Sequence, residues 1–169
     1  MFILHLFSMF KKQYSKEQGF QKLKQYCAWQ ERAQQEAKEK AYSLGLRKTE
    51  VEEVLSQLIL ENFLNEERFA VQFTGGKFRI KKWGRVKIKY ELHQKKVSNY
   101  CITKALETID ESEYLELINK LASLKWNSIK GSGANLFVKM AKTKNYLLQK
   151  GFEPQLVSVV LKKITNTKQ

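Results

Sequence analysis

The sequence predicts an all-α chain of three tandem three-helix repeats, strung into an elongated, curved, solenoid-like molecule. Three observations carry this expectation. One Pro and eight Gly in 169 residues leave too few turn formers for a many-turned β fold, while 43% hydrophobic residues suffice for a core. A single pattern recurs three times, beginning at Ser43, Gln94 and Gln149. Each copy carries the i, i+3, i+4, i+7 stripe of an amphipathic helix, with apolar residues aligned at Leu46/Val97/Phe152, Val51/Ile102/Val157, Val54/Ala105/Val160, Leu55/Leu106/Leu161 and Leu58/Ile109/Ile164.

Taken in order, residues 18–29 and 31–44 form the first two helices, and a third follows Thr49. Gly45 sits where the second helix must end in a left-handed residue. The second copy has helices over 66–78 and 83–95 and a third after Ser98, with Lys96 at the position Gly45 fills in the first. The third copy has helices over 113–126 and 136–150, ends the latter at Gly151, and starts its last helix at Glu153-Pro154, with Pro in the first turn. The expected units are 18–62, 63–109 and 110–169, behind a tail of residues 1–17; the one clear internal linker is 127–135, which holds Gly131, Ser132 and Gly133. The apolar start at residues 1–10 is too short to span a bilayer, and its charges, Lys11 and Lys12, follow the run instead of preceding it. Residues 1–8 read as an over-extended start or frayed tail ahead of Met9.

Residues 77–92 alternate apolar and basic side chains around a Lys-Trp-Gly break and fit a β-hairpin locally. The repeat overrules this, because residues 85–96 align with residues 34–45, a strong helix former. On one continuous helix Lys82, Arg85, Lys89 and Lys96 would share a face.

Charge is distributed unevenly. The chain carries +14 overall, yet residues 1–76 are nearly neutral at +1 and residues 77–169 hold +13. Within 77–96 stand Lys77, Arg79, Lys81, Lys82, Arg85, Lys87, Lys89, Lys95 and Lys96 against one acid, Glu91. A solvated helix face mixes signs through i,i+4 pairs, as residues 31–53 do; a one-signed block costs self-repulsion and marks a polyanionic or acidic partner. Lys77, Arg79, Lys81, Lys82, Arg85, Lys87, Lys89 and Lys96 are the expected binding residues. Phe78, Trp83 and Tyr90 lie among them and have the shape to stack on bases, although aromatics at helical spacing usually pack in the core.

No catalytic constellation is present. Gly75-Gly76 and Gly131-Ser132-Gly133 lack the strand and the Lys-Ser/Thr of phosphate-cradling loops. His5 and His93 have no partnered base, and Cys27 and Cys101, 74 positions apart, form no metal or disulfide pattern and read as buried hydrophobes. The acids Asp110, Glu111, Glu113 and Glu116 mark a helix start. The expectation is a non-enzymatic protein of a reducing cytoplasm, without metal or cofactor.

The segment Leu64-Asn-Glu-Glu-Arg-Phe-Ala70, then Gly84, the Ile88 to Leu92 helix and Gln149-Lys-Gly-Phe152 together resemble the signature of the RecX family of bacterial regulators, over about residues 20–165. This resemblance implies three tandem three-helix repeats that bind the RecA filament on single-stranded DNA, lie along its groove, and limit filament growth, ATP hydrolysis, strand exchange and co-protease activity by occupancy; the chain itself is expected to be a monomer. Two departures stand out: Gly75-Gly76, each weakening a helix by about 1 kcal/mol relative to Ala, and Lys96 where the family prefers Gly. The alternative reading is a module that binds nucleic acid directly, with Lys139, Lys142 and Lys144 as further phosphate contacts. A membrane-surface role is disfavoured, since the basic segment lacks a broad apolar face. Arg68, following Glu66-Glu67 at a helix start, is expected to serve stability or repeat docking.

Overall fold

The computed structural model describes residues 13–131 and 135–167, so the expectation for residues 1–8 lies outside the described residues. Every regular element within them is a helix: α1 (Lys16–Trp29), α2 (Gln34–Ser43), α3 (Lys48–Leu60), α4 (Glu66–Arg79), α5 (Arg85–Gln94), α6 (Asn99–Glu107), α7 (Glu111–Ser128), α8 (Leu136–Lys150) and α9 (Pro154–Thr167). The all-α expectation holds, and residues 77–92 form helix, turn and helix instead of a hairpin.

Short polar side chains set the helix starts. Ser15 Oγ accepts from the Gln18 N–H while Gln18 Oε1 accepts from the Ser15 N–H, which starts α1 two residues ahead of the expected residue 18. The backbone N–H groups of Arg68, Cys101, Glu113 and Val138 donate to Asn65, Ser98, Asp110 and Asn135 in the same way. The Ser112 hydroxyl and this Glu113 N–H hold the Asp110 carboxyl below the usual carboxylate range. At α3 the start is Lys48, because Glu50 reaches back to accept from the Arg47 N–H at 2.7 Å; Thr49 lies inside the helix.

The three repeat copies end their middle helices identically. Leu46 N–H donates to Ala41 O at 3.4 Å, Val97 N–H to Leu92 O at 3.2 Å, and Phe152 N–H to Leu147 O at 3.2 Å, the six-to-one bond of a Schellman cap. The left-handed residue is Gly45 (φ 88°), Lys96 (φ 61°) and Gly151 (φ 87°) in turn. The middle copy thus keeps the cap and places a lysine where a Cβ costs about 1–2 kcal/mol.

Helices pack within their own triplets: α1 with α2 and α3, α4 with α5 and α6, α7 with α8 and α9. The first unit closes a core of its own around Leu23, Cys27, Ala37, Ala41, Val51, Val54 and Leu58. The second and third share one continuous core, running from Ile102, Leu92 and Ile88 through Phe78 and Tyr114 to Ile118, Leu147 and Phe152. Ala33, in the α1–α2 connection, also belongs to that shared core. This explains why α2 begins at Gln34 and not at residue 31: residues 31–33 are spent on the junction between the first and second units.

Candidate nucleic-acid interface

The basic segment is framed by two junctions between units, and these decide which of its charges remain available. At the second junction the chain ends of α5 and α8 dock main chain to main chain. Gly84 N–H donates to Lys150 O at 2.9 Å and Val86 N–H to Gly151 O at 3.0 Å. A Cβ on Gly84 would stand 2.2 Å from Gly151 O, so only glycine fits. Docking also ends the expected helix over 83–95 early: α5 starts at Arg85, with Gly84 as its N-cap.

Beside this contact lies Tyr114, fully buried, its ring 5.9 Å from that of Phe78 and 5.3 Å from that of Phe152. Its hydroxyl accepts from the Arg85 N–H at 3.0 Å and donates to Glu153 Oε2 at 2.7 Å, and burial pushes it well above the usual tyrosine range. The Arg85 guanidinium covers the Tyr114 ring at 4.0 Å, pairs with Glu111 at 2.6 Å and lies 4.0 Å from Glu153. Arg85 therefore holds the second and third units together.

The expected common face of Lys82, Arg85, Lys89 and Lys96 is not formed. Arg85 turns to the third unit. Lys82 lies ahead of α5 in a left-handed turn (φ 56°), and Lys96 lies beyond its end in another. The remaining residues present different surroundings. Lys77 and Lys87 place their ammonium groups 4.9 and 4.6 Å from the centre of the half-buried Trp83 ring, a cation–π arrangement that fixes both stems. Arg79 and Lys82 line a small groove with Phe78, Glu113, Glu116, Leu117 and Lys120. Lys81 and Lys89 are exposed.

What unites them is absence of compensation. Among the described residues Lys77, Arg79, Lys81, Lys82, Lys87, Lys89 and Lys96 have no ion pair within 4.0 Å; only Arg85, and Lys95 through Glu36 at 2.5 Å, are paired. Seven cations in a twenty-residue stretch form a positive field that a polyanion can neutralise. Tyr90, 60% exposed on α5 beside Lys89, is the aromatic free to stack, whereas Phe78 is buried in the core. Lys142 and Lys144 are exposed on α8, and Lys139 lies 6.0 Å from the Trp126 ring. Burial raises both cysteine thiols, that of Cys27 to about 11, so neither is a ready nucleophile.

The first junction is polar and open. Arg68 donates through Nε to Glu31 Oε1 at 2.5 Å and through its two terminal nitrogens to Asn62 Oδ1 and Asn62 O, each at 3.0 Å; this is the docking role expected of it. Between the units remains a cleft of about 390 Å³, lined among others by Arg32, Phe73, Lys77, Ile80 and Lys81. Sequence reasoning missed this cleft and both acid–base crossings, because Glu31 with Arg68 and Glu36 with Lys95 are 37 and 59 residues apart.

Comparison with known proteins follows the same boundaries. The description "RecX, second three-helix domain" matches residues 65–106 and "RecX, third three-helix domain" matches residues 111–161, together more than half of the chain. The chain is 27% identical over 135 residues to the regulatory protein RecX of Clostridium perfringens (strain 13 / Type A), covering 80% of this chain and 63% of that one. It is 30% identical over 126 residues to the regulatory protein RecX of Clostridium tetani, covering 75% and 57% respectively. It thus spans less than two thirds of the length of these relatives. The crystal structure of RecX from Lactobacillus salivarius superposes with a TM-score of 0.77 at 22% identity, covering 89% of this chain and 96% of that one. A second crystal structure, of a regulatory protein RecX, gives 0.74 at 19% identity and shares the fold.

Proposed function

Since this chain belongs to the RecX family, we propose that it is a non-enzymatic, monomeric regulator of recombination and repair in the cytoplasm, which binds the RecA filament on single-stranded DNA and restrains strand exchange, ATP hydrolysis and co-protease activity. The observation that supports this reading is the set of seven cations between Lys77 and Lys96 that have no ion pair among the described residues. Such a surface acts by occupying a polyanionic groove, where each Lys or Arg that neutralises a phosphate releases a cation condensed on it. The second unit carries this surface, and main-chain hydrogen bonds from Gly84 and Val86 join it to the unit that bears the α8 lysines.

The test is RecA ATPase activity on single-stranded DNA with this chain added below one copy per RecA. Inhibition at that ratio supports restraint at growing filament ends. No effect even in excess overturns the reading and favours direct nucleic-acid binding, for which affinity would fall with salt at a log–log slope near −0.7 per phosphate contact.

A further inference from the structure

The cleft between the first and second units adjoins the surface just described and shares Lys77 and Lys81 with it. Its walls differ in chemistry. One wall, from α4 and the turn that follows it, supplies Phe73, Lys77, Ile80 and Lys81, with Gly76 adding no side chain; the opposite wall, from the α1–α2 connection, supplies Glu31 and Arg32. Ile80 is 77% exposed and makes no use of its apolar surface within the chain. Lys77, Lys81 and Arg32 have no acidic partner among the described residues.

Two buried groups at this junction also lack partners: Glu31 Oε2, an acceptor, and Arg32 Nε, a donor. Native structures rarely leave such atoms unpaired. Glu31 pairs with Arg68 through its other oxygen at 2.5 Å, and the Arg32 guanidinium covers the Tyr26 ring at 4.1 Å, so a ligand in the cleft reaches the two unpaired atoms by loosening these contacts. One donor and one acceptor, on adjacent residues, match the C=O and N–H of a main-chain amide.

We propose that this cleft is a docking site for an extended peptide of a protein partner, one that carries a carboxylate beside an apolar side chain. The apolar side chain lies on Phe73 and Ile80, the carboxylate meets Lys77 and Lys81, and the main chain passes Glu31 and Arg32. Charge and apolar complementarity together select this occupant over nucleic acid. Glu31 and Glu36 are neutralised by Arg68 and Lys95, which leaves Lys77 and Lys81 beside the apolar Phe73 and Ile80; a phosphate backbone would use the lysines and leave the apolar surface bare, whereas a peptide can present a carboxylate and an apolar side chain together. A volume of about 390 Å³ accommodates a few residues and not a folded surface, toward the lower end of the roughly 300–1,000 Å³ usual for small-ligand clefts.

The test needs no recombinase, so its outcome is separate from that of the proposed function. The isotope-labelled full chain is titrated to millimolar concentration with the blocked peptide Gly-Asp-Leu-Asp-Gly, its Gly-Asn-Leu-Asn-Gly counterpart, and a thymidine octanucleotide, following backbone amides by NMR. Expected are saturable shifts confined to the neighbourhood of Arg32, Phe73, Lys77 and Ile80, weakened about tenfold by the Asn peptide and by Ile80→Asp. Ile80 is exposed, so this variant keeps its fold, checked by an otherwise unchanged spectrum; Lys77→Gln with Lys81→Gln provides a second variant with the same expected loss. Absence of saturable shifts, equal binding of both peptides, indifference to the variants, or tighter occupation of the same amides by the oligonucleotide overturns the proposal.

Discussion

Gly84 and Gly151 are two halves of one contact: the Gly84 N–H reaches the carbonyl just before Gly151, and a Cβ on Gly84 would lie 2.2 Å from the Gly151 oxygen. Read along the chain, the first is a break after Trp83 and the second a helix terminator. In space they let the second and third units approach closely enough to share a core, while the first unit keeps its own core and joins through the polar contacts of Arg68 and Lys95 and the single apolar contribution of Ala33.

Gly84→Ala should therefore cost about 1–3 kcal/mol, because the obstructing atoms are backbone and cannot turn aside. Gly151→Ala adds the strain of a positive φ, 87°, to a clash with Lys87 Cβ at 2.2 Å, and should cost more. Gly76→Ala is the opposite case: no atom lies within 4 Å of its Cβ position, and the change should stabilise α4 by about 0.5–1 kcal/mol. Urea unfolding followed by circular dichroism gives all three values.

Tyr114→Phe removes one acceptor from the Arg85 N–H and one donor from Glu153, for an expected loss of about 1–2 kcal/mol at neutral pH. The pH dependence gives a sharper test. Burial raises the Tyr114 hydroxyl above the value near pH 10 at which it ionises in the unfolded chain. Its contribution is thus complete below pH 10 and is lost as pH rises further, because only the unfolded state releases the proton. Stability measured from pH 8 to 11 should fall more steeply in the parent chain than in Tyr114→Phe; parallel curves would contradict this.

Lys96→Gly should stabilise the chain by about 1 kcal/mol, since glycine adopts φ 61° without the Cβ penalty while the Val97 N–H to Leu92 O bond remains. A thermal shift upward checks this. A downward shift would mean that the lysine stem contributes packing that the cap geometry does not reveal.

Much of the architecture was legible because it is local. Ser98 and Asp110 announce helix starts within one turn, and the aligned columns from Leu46, Val97 and Phe152 onward reproduce the buried stripes. Helix limits at the junctions were not. Residues 31–33 and 83–84 have helical surroundings in sequence, yet they are drawn out by partners more than thirty residues away. The same holds for the basic segment. Its composition marked the region, but which charges stay unpaired depends on Glu111 and Glu36, and spacing alone placed Arg85 with residues it does not accompany.

The central claim is that uncompensated charge in the second unit holds this chain on a polyanionic filament. The direct measurement is RecA ATPase on single-stranded DNA with the double variant Lys82→Glu, Lys89→Glu, leaving Arg85 in place to keep the junction. Both lysines are exposed and free of ion pairs among the described residues. The account predicts parental helical circular dichroism and loss of inhibition by about tenfold or more in effective concentration. A correctly folded double variant that inhibits as well as the parent would contradict it.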